Sequence, residues 1–324
     1  MTGHGGIAVS RRAFGAGVFG ALLTPGCLPK EPLRITAHPW PGYDLTKLGI
    51  ADARAKRHDV RWTAVDTVQQ SFERLSSGEA DGACLTLDQM LVARSQGIPL
   101  RAYLIFDVSA GADTVLARPD LRGLEDLRGA KVGVESSSLG AIMLSKLLDA
   151  ASLARADVAV VPMDENHDIA WERNDLDFII TYEPSLGRLR RVGLKPVFDS
   201  RQLPKLIVDL LAVRPDAAAA RGEAMMWIIE THFQMLEALR TNPVDLHSRL
   251  SAMTTMPPDE VAASFRGLDF PDPLYNRRLL TPPATELNRV AEELRGLLVE
   301  NGVISGPLDL NELFSPRYLP RFGL

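Results

Sequence analysis

The stretch Asp126-Leu127-Arg128-Gly129-Ala130-Lys131-Val132-Gly133-Val134, continued by Glu135 and Ser136-Ser137-Ser138, anchors the assignment of the whole chain. Residues 131–134 read as a strand and the serines as a turn. Residues 137–151 read as a helix with Leu139, Ile142, Met143, Leu147 and Leu148 at helical spacing. A strand at 158–161, a helix at 164–173 and a strand at 177–181 follow. Toward the N-terminus the same alternation runs through strands at 33–37, 60–65, 81–85 and 100–106. Helices at 43–57, 68–75 and 88–96 lie between them. This order implies an α/β fold, each part a mainly parallel sheet flanked by helices.

A further strand at 207–213 closes the alternation. From residue 217 the chain reads as a helical tail, punctuated by Pro243, Pro257-Pro258, Pro271, Pro273 and Pro282-Pro283. Two βα runs exceed one hydrophobic core and predict two lobes. Two strands end alike, Ala117-Arg118-Pro119-Asp120 and Val213-Arg214-Pro215-Asp216. They are expected to be neighbours in the first lobe's sheet. The predicted division is 1–27 export signal, 31–117 and 200–324 lobe 1, and 118–199 lobe 2. Two crossings between lobes make a hinge, and the cleft between them is the expected ligand site.

The N-terminal segment predicts export. Ser10-Arg11-Arg12-Ala13-Phe14 resembles a twin-arginine signal, followed by a short apolar stretch at 13–23 that is too short to span a membrane. Gly26-Cys27 resembles a lipobox, which implies lipidation of Cys27 and anchoring on the outer side of the cytoplasmic membrane. Thr24 stands where that pattern carries an aliphatic residue, and an ordinary cleaved signal is the alternative. The formal charge is −5, and removal of Arg11 and Arg12 leaves −7, which argues against a nucleic-acid surface. The other cysteine, Cys84, lies in an apolar run and reads as an inert core residue.

Several stretches together resemble the substrate-binding proteins of ABC importers, of the nitrate/sulfonate/taurine type. They are Trp40-Pro41-Gly42-Tyr43 after the first strand, Gly78-Glu79-Ala80-Asp81-Gly82-Ala83, the opening stretch 126–134, and Asp177-Phe178-Ile179-Ile180-Thr181-Tyr182-Glu183-Pro184. The resemblance covers roughly residues 33–302. It implies the two-lobed type II periplasmic binding fold, capture of a small solute, and ABC permease and ATPase subunits as partners.

Ligands of open α/β sheets bind beyond the carboxyl ends of the strands. The candidates there are Trp40, Tyr43, Asp66, Thr67, Thr86, Asp88, Asp107 and Ser109 in the first lobe. In the second they are Glu135, Ser136, Ser137, Ser138, Thr181, Tyr182 and Glu183. The serines precede a helix, where free N–H groups and hydroxyls suit an anionic oxygen, or simply cap the helix. Trp40 and Tyr43 suit stacking or cation–π contact, or core packing. The charged candidates are all acidic, which favours an amine or zwitterion over a bare anion; a sulfonate stays open. No catalytic residue, cofactor or metal is expected: the histidines are scattered, no Gly-x-Ser-x-Gly elbow exists, and the acids at 164–168 sit at a helix start. Two alternatives remain, a tethered enzyme related to pyrimidine-precursor synthases and a ligand-sensing partner of a membrane signalling protein.

Overall fold

The computed structural model describes residues 1–4, 31–53, 59–164, 166–254, 256–283 and 285–321. The export signal, with Arg11, Arg12 and Cys27, lies outside the described residues. Residues 32–324 form one compact unit. It holds eleven strands among the described residues: β1 (Leu33–Ala37), β2 (Val60–Ala64), β3 (Gly82–Thr86), β4 (Arg101–Ser109), β5 (Thr114–Ala117), β6 (Lys131–Glu135), β7 (Ala159–Met163), β8 (Phe178–Thr181), β9 (Lys195–Asp199), β10 (Val208–Val213) and β11 (Leu268–Asp269).

They form two sheets flanked by helices. The first has the order β11-β4-β10-β3-β1-β2 and the second β7-β6-β8-β5-β9. β1 is parallel to β2 and β3, and β6 is parallel to β7 and β8. In each sheet an antiparallel strand then continues the row: β10 between β3 and β4, and β5 between β8 and β9.

The expectation that 114–117 and 210–213 are neighbours in one sheet is therefore overturned. β5 belongs to the second sheet. The two strands end alike because they hold equivalent places, one in each sheet. Arg118 N–H donates to the Asp177 carbonyl at 3.0 Å, as Arg214 N–H does to the Asp81 carbonyl at 2.9 Å. The carboxylate of Asp81 accepts from Arg34 N–H at 2.9 Å, and that of Asp177 from Lys131 N–H at 2.8 Å.

The chain crosses between sheets at 110–113 and 200–207. These crossings are tied to each other. The Ser109 and Ser200 hydroxyls share a 2.7 Å hydrogen bond, Gly111 N–H donates to the Ser200 hydroxyl at 2.7 Å, and Ser200 N–H donates to the Asp113 carbonyl at 2.9 Å. The apolar faces of both sheets are buried, with Phe106 on β4 and Phe178 on β8 fully enclosed. The helical tail divides more than its sequence predicts, into Pro215–Ala220, Gly222–Thr241, Pro243–Thr254, Pro258–Ser264, Pro273–Leu280 and Thr285–Glu300. The last of these packs on helices Leu87–Ser95 and Ser138–Ala151, one from each βα run.

Candidate functional site

Each run begins with a strand and a tight turn into a helix, and both turns crowd a polar group against a glycine. A Cβ on Gly42 would lie 1.8 Å from Asp107 Oδ2, and one on Gly140 would lie 2.2 Å from the Glu135 carbonyl. No other residue type fits either place without displacement. The first turn brings Trp40 beside Asp107, and its Nε1–H donates to that carboxylate at 3.2 Å. In the second, Ser137 is the N-cap of helix Ser138–Ala151 and accepts from Gly140 N–H at 3.1 Å.

The turns meet across a small cavity of about 20 Å³. His38, Trp40, Thr86, Asp113 and Asp209 line it with Glu135 and Tyr182. It shares Val68, Gln89 and Glu135 with a groove of about 800 Å³ that Ser136, Ser137 and Ser138 also line. It shares His38 and Trp40 with a pocket of about 410 Å³ reaching Asp44, Lys47 and Arg188. Groove and pocket fall in the range that holds small ligands. The Trp40 ring meets the Tyr182 ring edge-on at 5.9 Å, and the Ser138 hydroxyl donates to Asp88 at 2.5 Å. Both contacts join residues of the two runs.

Burial dominates the charge states on one side of the cavity. Asp107 is pushed up to about 7 by burial, against the Trp40 N–H that favours its anion. Asp113 is likewise pushed up to about 7. Asp209, directly opposite Asp107 in the β4–β10 register, is raised well above the usual range by burial and then by the Asp107 charge. The Tyr43 hydroxyl donates to Asp209. Burial also raises Asp88, and it lowers His38 to about 4. Glu135 differs. Burial opposes its charge, but hydrogen bonds from His167 Nε2 at 3.0 Å and from the Tyr182 hydroxyl at 2.6 Å outweigh that and hold it below the ordinary glutamate range.

The structure thus brings Trp40, Thr86, Glu135, Ser136, Ser137, Ser138 and Tyr182 to the cavity and groove. Asp107 joins through Trp40, Tyr43 through Asp209, and Asp88 through Ser138. Thr181 is buried and meets His167 Nδ1 at 3.0 Å. Four candidates lie elsewhere. Asp66 is exposed, with Thr67 beside it capping helix Val68–Ser77. Ser109 belongs to the tied crossings, and Glu183 accepts from Gly187 N–H at 3.1 Å at the start of helix Ser185–Arg191. Four residues were not picked out as ligand candidates from the sequence: His38, Asp113, His167 and Asp209. An acid inside the apolar run 207–213 was the available signal for Asp209. Cys84 is buried on β3, where burial raises its thiol well above the ordinary range.

Two sheets joined by two crossings, with polar strand ends gathered between them, define a two-lobed solute-binding fold of the type II periplasmic class. The comparisons agree. Residues 59–203 match the family model described as NMT1/THI5 like. The chain is 22% identical over 255 residues to the taurine-binding periplasmic protein of Escherichia coli, covering 76% of this chain and 78% of that protein. The periplasmic aliphatic sulphonate binding protein SsuA of Escherichia coli superposes with a TM-score of 0.72 at 17% identity, covering 88% of this chain and 92% of that one. The desulfurization enzyme DSZB has the same fold, with a TM-score of 0.62 at 14% identity, covering 88% and 97%. These likenesses show the fold, and the chain is similar to substrate-binding proteins of the nitrate/sulfonate/taurine type.

Proposed function

We propose that this chain captures a small zwitterionic solute, its ammonium end toward the buried acids and its anionic end toward the Ser136–Ser138 turn. The loaded chain then docks on an ABC permease and its ATPase. One observation carries the ammonium half: the cavity is ringed by carboxyl groups, and no lysine or arginine is among the described residues that line it. A dedicated anion site would use arginine forks. The anionic half rests on the serine turn at the start of a fourteen-residue helix, whose Ser136, Ser137 and Ser138 line the groove. The taurine-binding relative supports the pairing, since taurine carries both an ammonium and a sulfonate. DSZB shows that an enzyme also uses this fold; the acids here serve binding.

Opening of the cleft accompanies capture in this reading. The second sheet, with residues 114–199, swings about the tied crossings against the rest. The Trp40–Tyr182 and Ser138–Asp88 contacts close it. We place the chain outside the cytoplasmic membrane, held by a lipid on Cys27.

A thermal-shift and calorimetric panel of taurine, ethanesulfonate, ethylamine and nitrate tests the solute class. Taurine at ~100-fold over its dissociation constant is expected to stabilise by ~2.7 kcal/mol. Ethanesulfonate binding as tightly as taurine would defeat the ammonium half. For the anchor, Cys27→Ser is expected to move the protein from membrane to soluble fractions, and unchanged fractionation and gel mobility would defeat lipidation.

A further inference from the structure

We propose that His38, Asp113 and Asp209 form a subsite for a primary ammonium group, and that filling it expels a proton shared between Asp107 and Asp209. This rests on the zwitterion reading above and says which atoms take the ammonium and what leaves.

The cavity has room for about one water-sized group, which is the size of an ammonium head. Four atoms of its lining residues are sealed from solvent and have no hydrogen-bond partner: Asp113 Oδ2, Asp209 Oδ2, His38 Nδ1 and Thr86 Oγ1. Asp113 and Asp209 are only 2% and 1% exposed. Buried acceptors left without donors are costly, and native proteins keep few of them. A primary ammonium carries three N–H donors and no acceptor, which matches the two carboxylate oxygens and the ring nitrogen; the Thr86 hydroxyl can itself donate. His38 is neutral at physiological pH because burial lowers it to about 4, so a ring nitrogen is free to accept. A quaternary ammonium has no N–H to offer and exceeds the space.

The proton follows from the register. Asp107 and Asp209 are cross-strand partners, and their carboxyl groups interact directly. Two buried carboxylates side by side do not both stay charged without a cation. The titratable groups around them are Tyr43 from the first helix, Cys84 from β3, His38 from the first turn, which lines the cavity with Asp209, and, through Asp113, Asp88 from helix Leu87–Ser95. Beyond these lie Asp113, Glu135, His167 and, behind Phe106, His232. None is lysine or arginine. The empty cluster therefore holds a proton at neutral pH, in line with the rise of Asp107 and Asp113 to about 7. On binding, the ammonium keeps all its protons, one carboxyl O–H bond breaks, and that proton passes to solvent. Proton and ammonium compete, so affinity falls by up to about tenfold per unit as pH drops below about 7.

Calorimetry of the full chain with taurine as probe, in phosphate and in Tris at pH 7, reads the proton directly. The apparent enthalpies are expected to differ by the buffer heat of about one released proton, and the affinity to fall several-fold to tenfold from pH 7 to 6. Asp113→Asn is expected to weaken taurine about thirtyfold or more, and N-trimethyl taurine to bind neither form. Taurine binding with a buffer-independent enthalpy and an affinity flat from pH 6 to 8 would overturn the proposal and leave the zwitterion reading standing. If taurine does not bind, that reading fails, and methylammonium chloride against tetramethylammonium chloride at equal ionic strength tests the subsite alone. Stabilisation by methylammonium only, lost in Asp113→Asn, supports the subsite; equal effects of the two salts overturn it.

Discussion

The two sheets share a plan and differ in what they place on it. Each has a parallel trio, β2-β1-β3 or β7-β6-β8, continued by an antiparallel strand that the chain supplies at a crossing. Each trio is locked by an aspartate just before its inner strand, Asp81 or Asp177, that accepts from the first strand of the trio. Each first turn needs a glycine. The polar groups at those turns are opposite in kind. The first sheet offers an indole and buried acids, and the second offers hydroxyls, helix N–H groups and a charged Glu135. In the proposed reading, a shared frame presents two different ends to one solute, as a zwitterion would need.

The locking aspartates give the largest expected difference. Asp81 is buried and also takes the Arg34 guanidinium at 2.7 and 3.0 Å, which holds it below the usual range against the opposing effect of burial. Asp177 is more exposed and has a 3.3 Å ion pair with Arg118. Asp81→Ala is expected to cost about 2–3 kcal/mol and Asp177→Ala about 1 kcal/mol in urea unfolding. Equal losses would mean the two locks are alike in energy as well as position. At the turns the effects are smaller and fall on affinity. Trp40→Phe keeps a ring at Tyr182 but removes the N–H from Asp107, and about 1–2 kcal/mol of solute binding should go with it. Ser137→Ala should lose under about 1 kcal/mol of affinity together with some helix stability. Calorimetry of both variants with the solute found by the panel ranks the turns. A larger loss at Ser137 would make the second sheet the main anchor.

Much of this plan was legible in the sequence, because parallel strands alternate with amphipathic helices and announce both themselves and their carboxyl ends. Trp40, Asp107, Glu135 and the serines followed from that rule. Asp209 and Asp113 did not, for a directional reason. β10 and β5 run antiparallel to their trios, so the ends they bring to the cavity are amino ends, where a search of carboxyl ends does not look. The four residues of β5 are too few to show a period, and the likeness between 117–120 and 213–216 suggests adjacency although it marks equivalent positions. His38 is one of the scattered histidines of the sequence. Only the burial of its Nδ1, in a cavity shared with one unpartnered oxygen each of Asp113 and Asp209, gives it weight.

The interleaving of the sheets also governs how the chain folds. β10 is buried along its whole length between β3 and β4, yet it leaves the ribosome after every strand of the second sheet. Its pairing is of high contact order, which slows folding and prolongs the life of incomplete species. Until residue 213 emerges, β3 and β4 have bare edges facing each other, the kind of edge that recruits foreign strands. A nascent chain stopped before residue 208 therefore exposes two open edges where the finished protein has a strand buried at every residue, and that stage of synthesis is where a holding chaperone matters most.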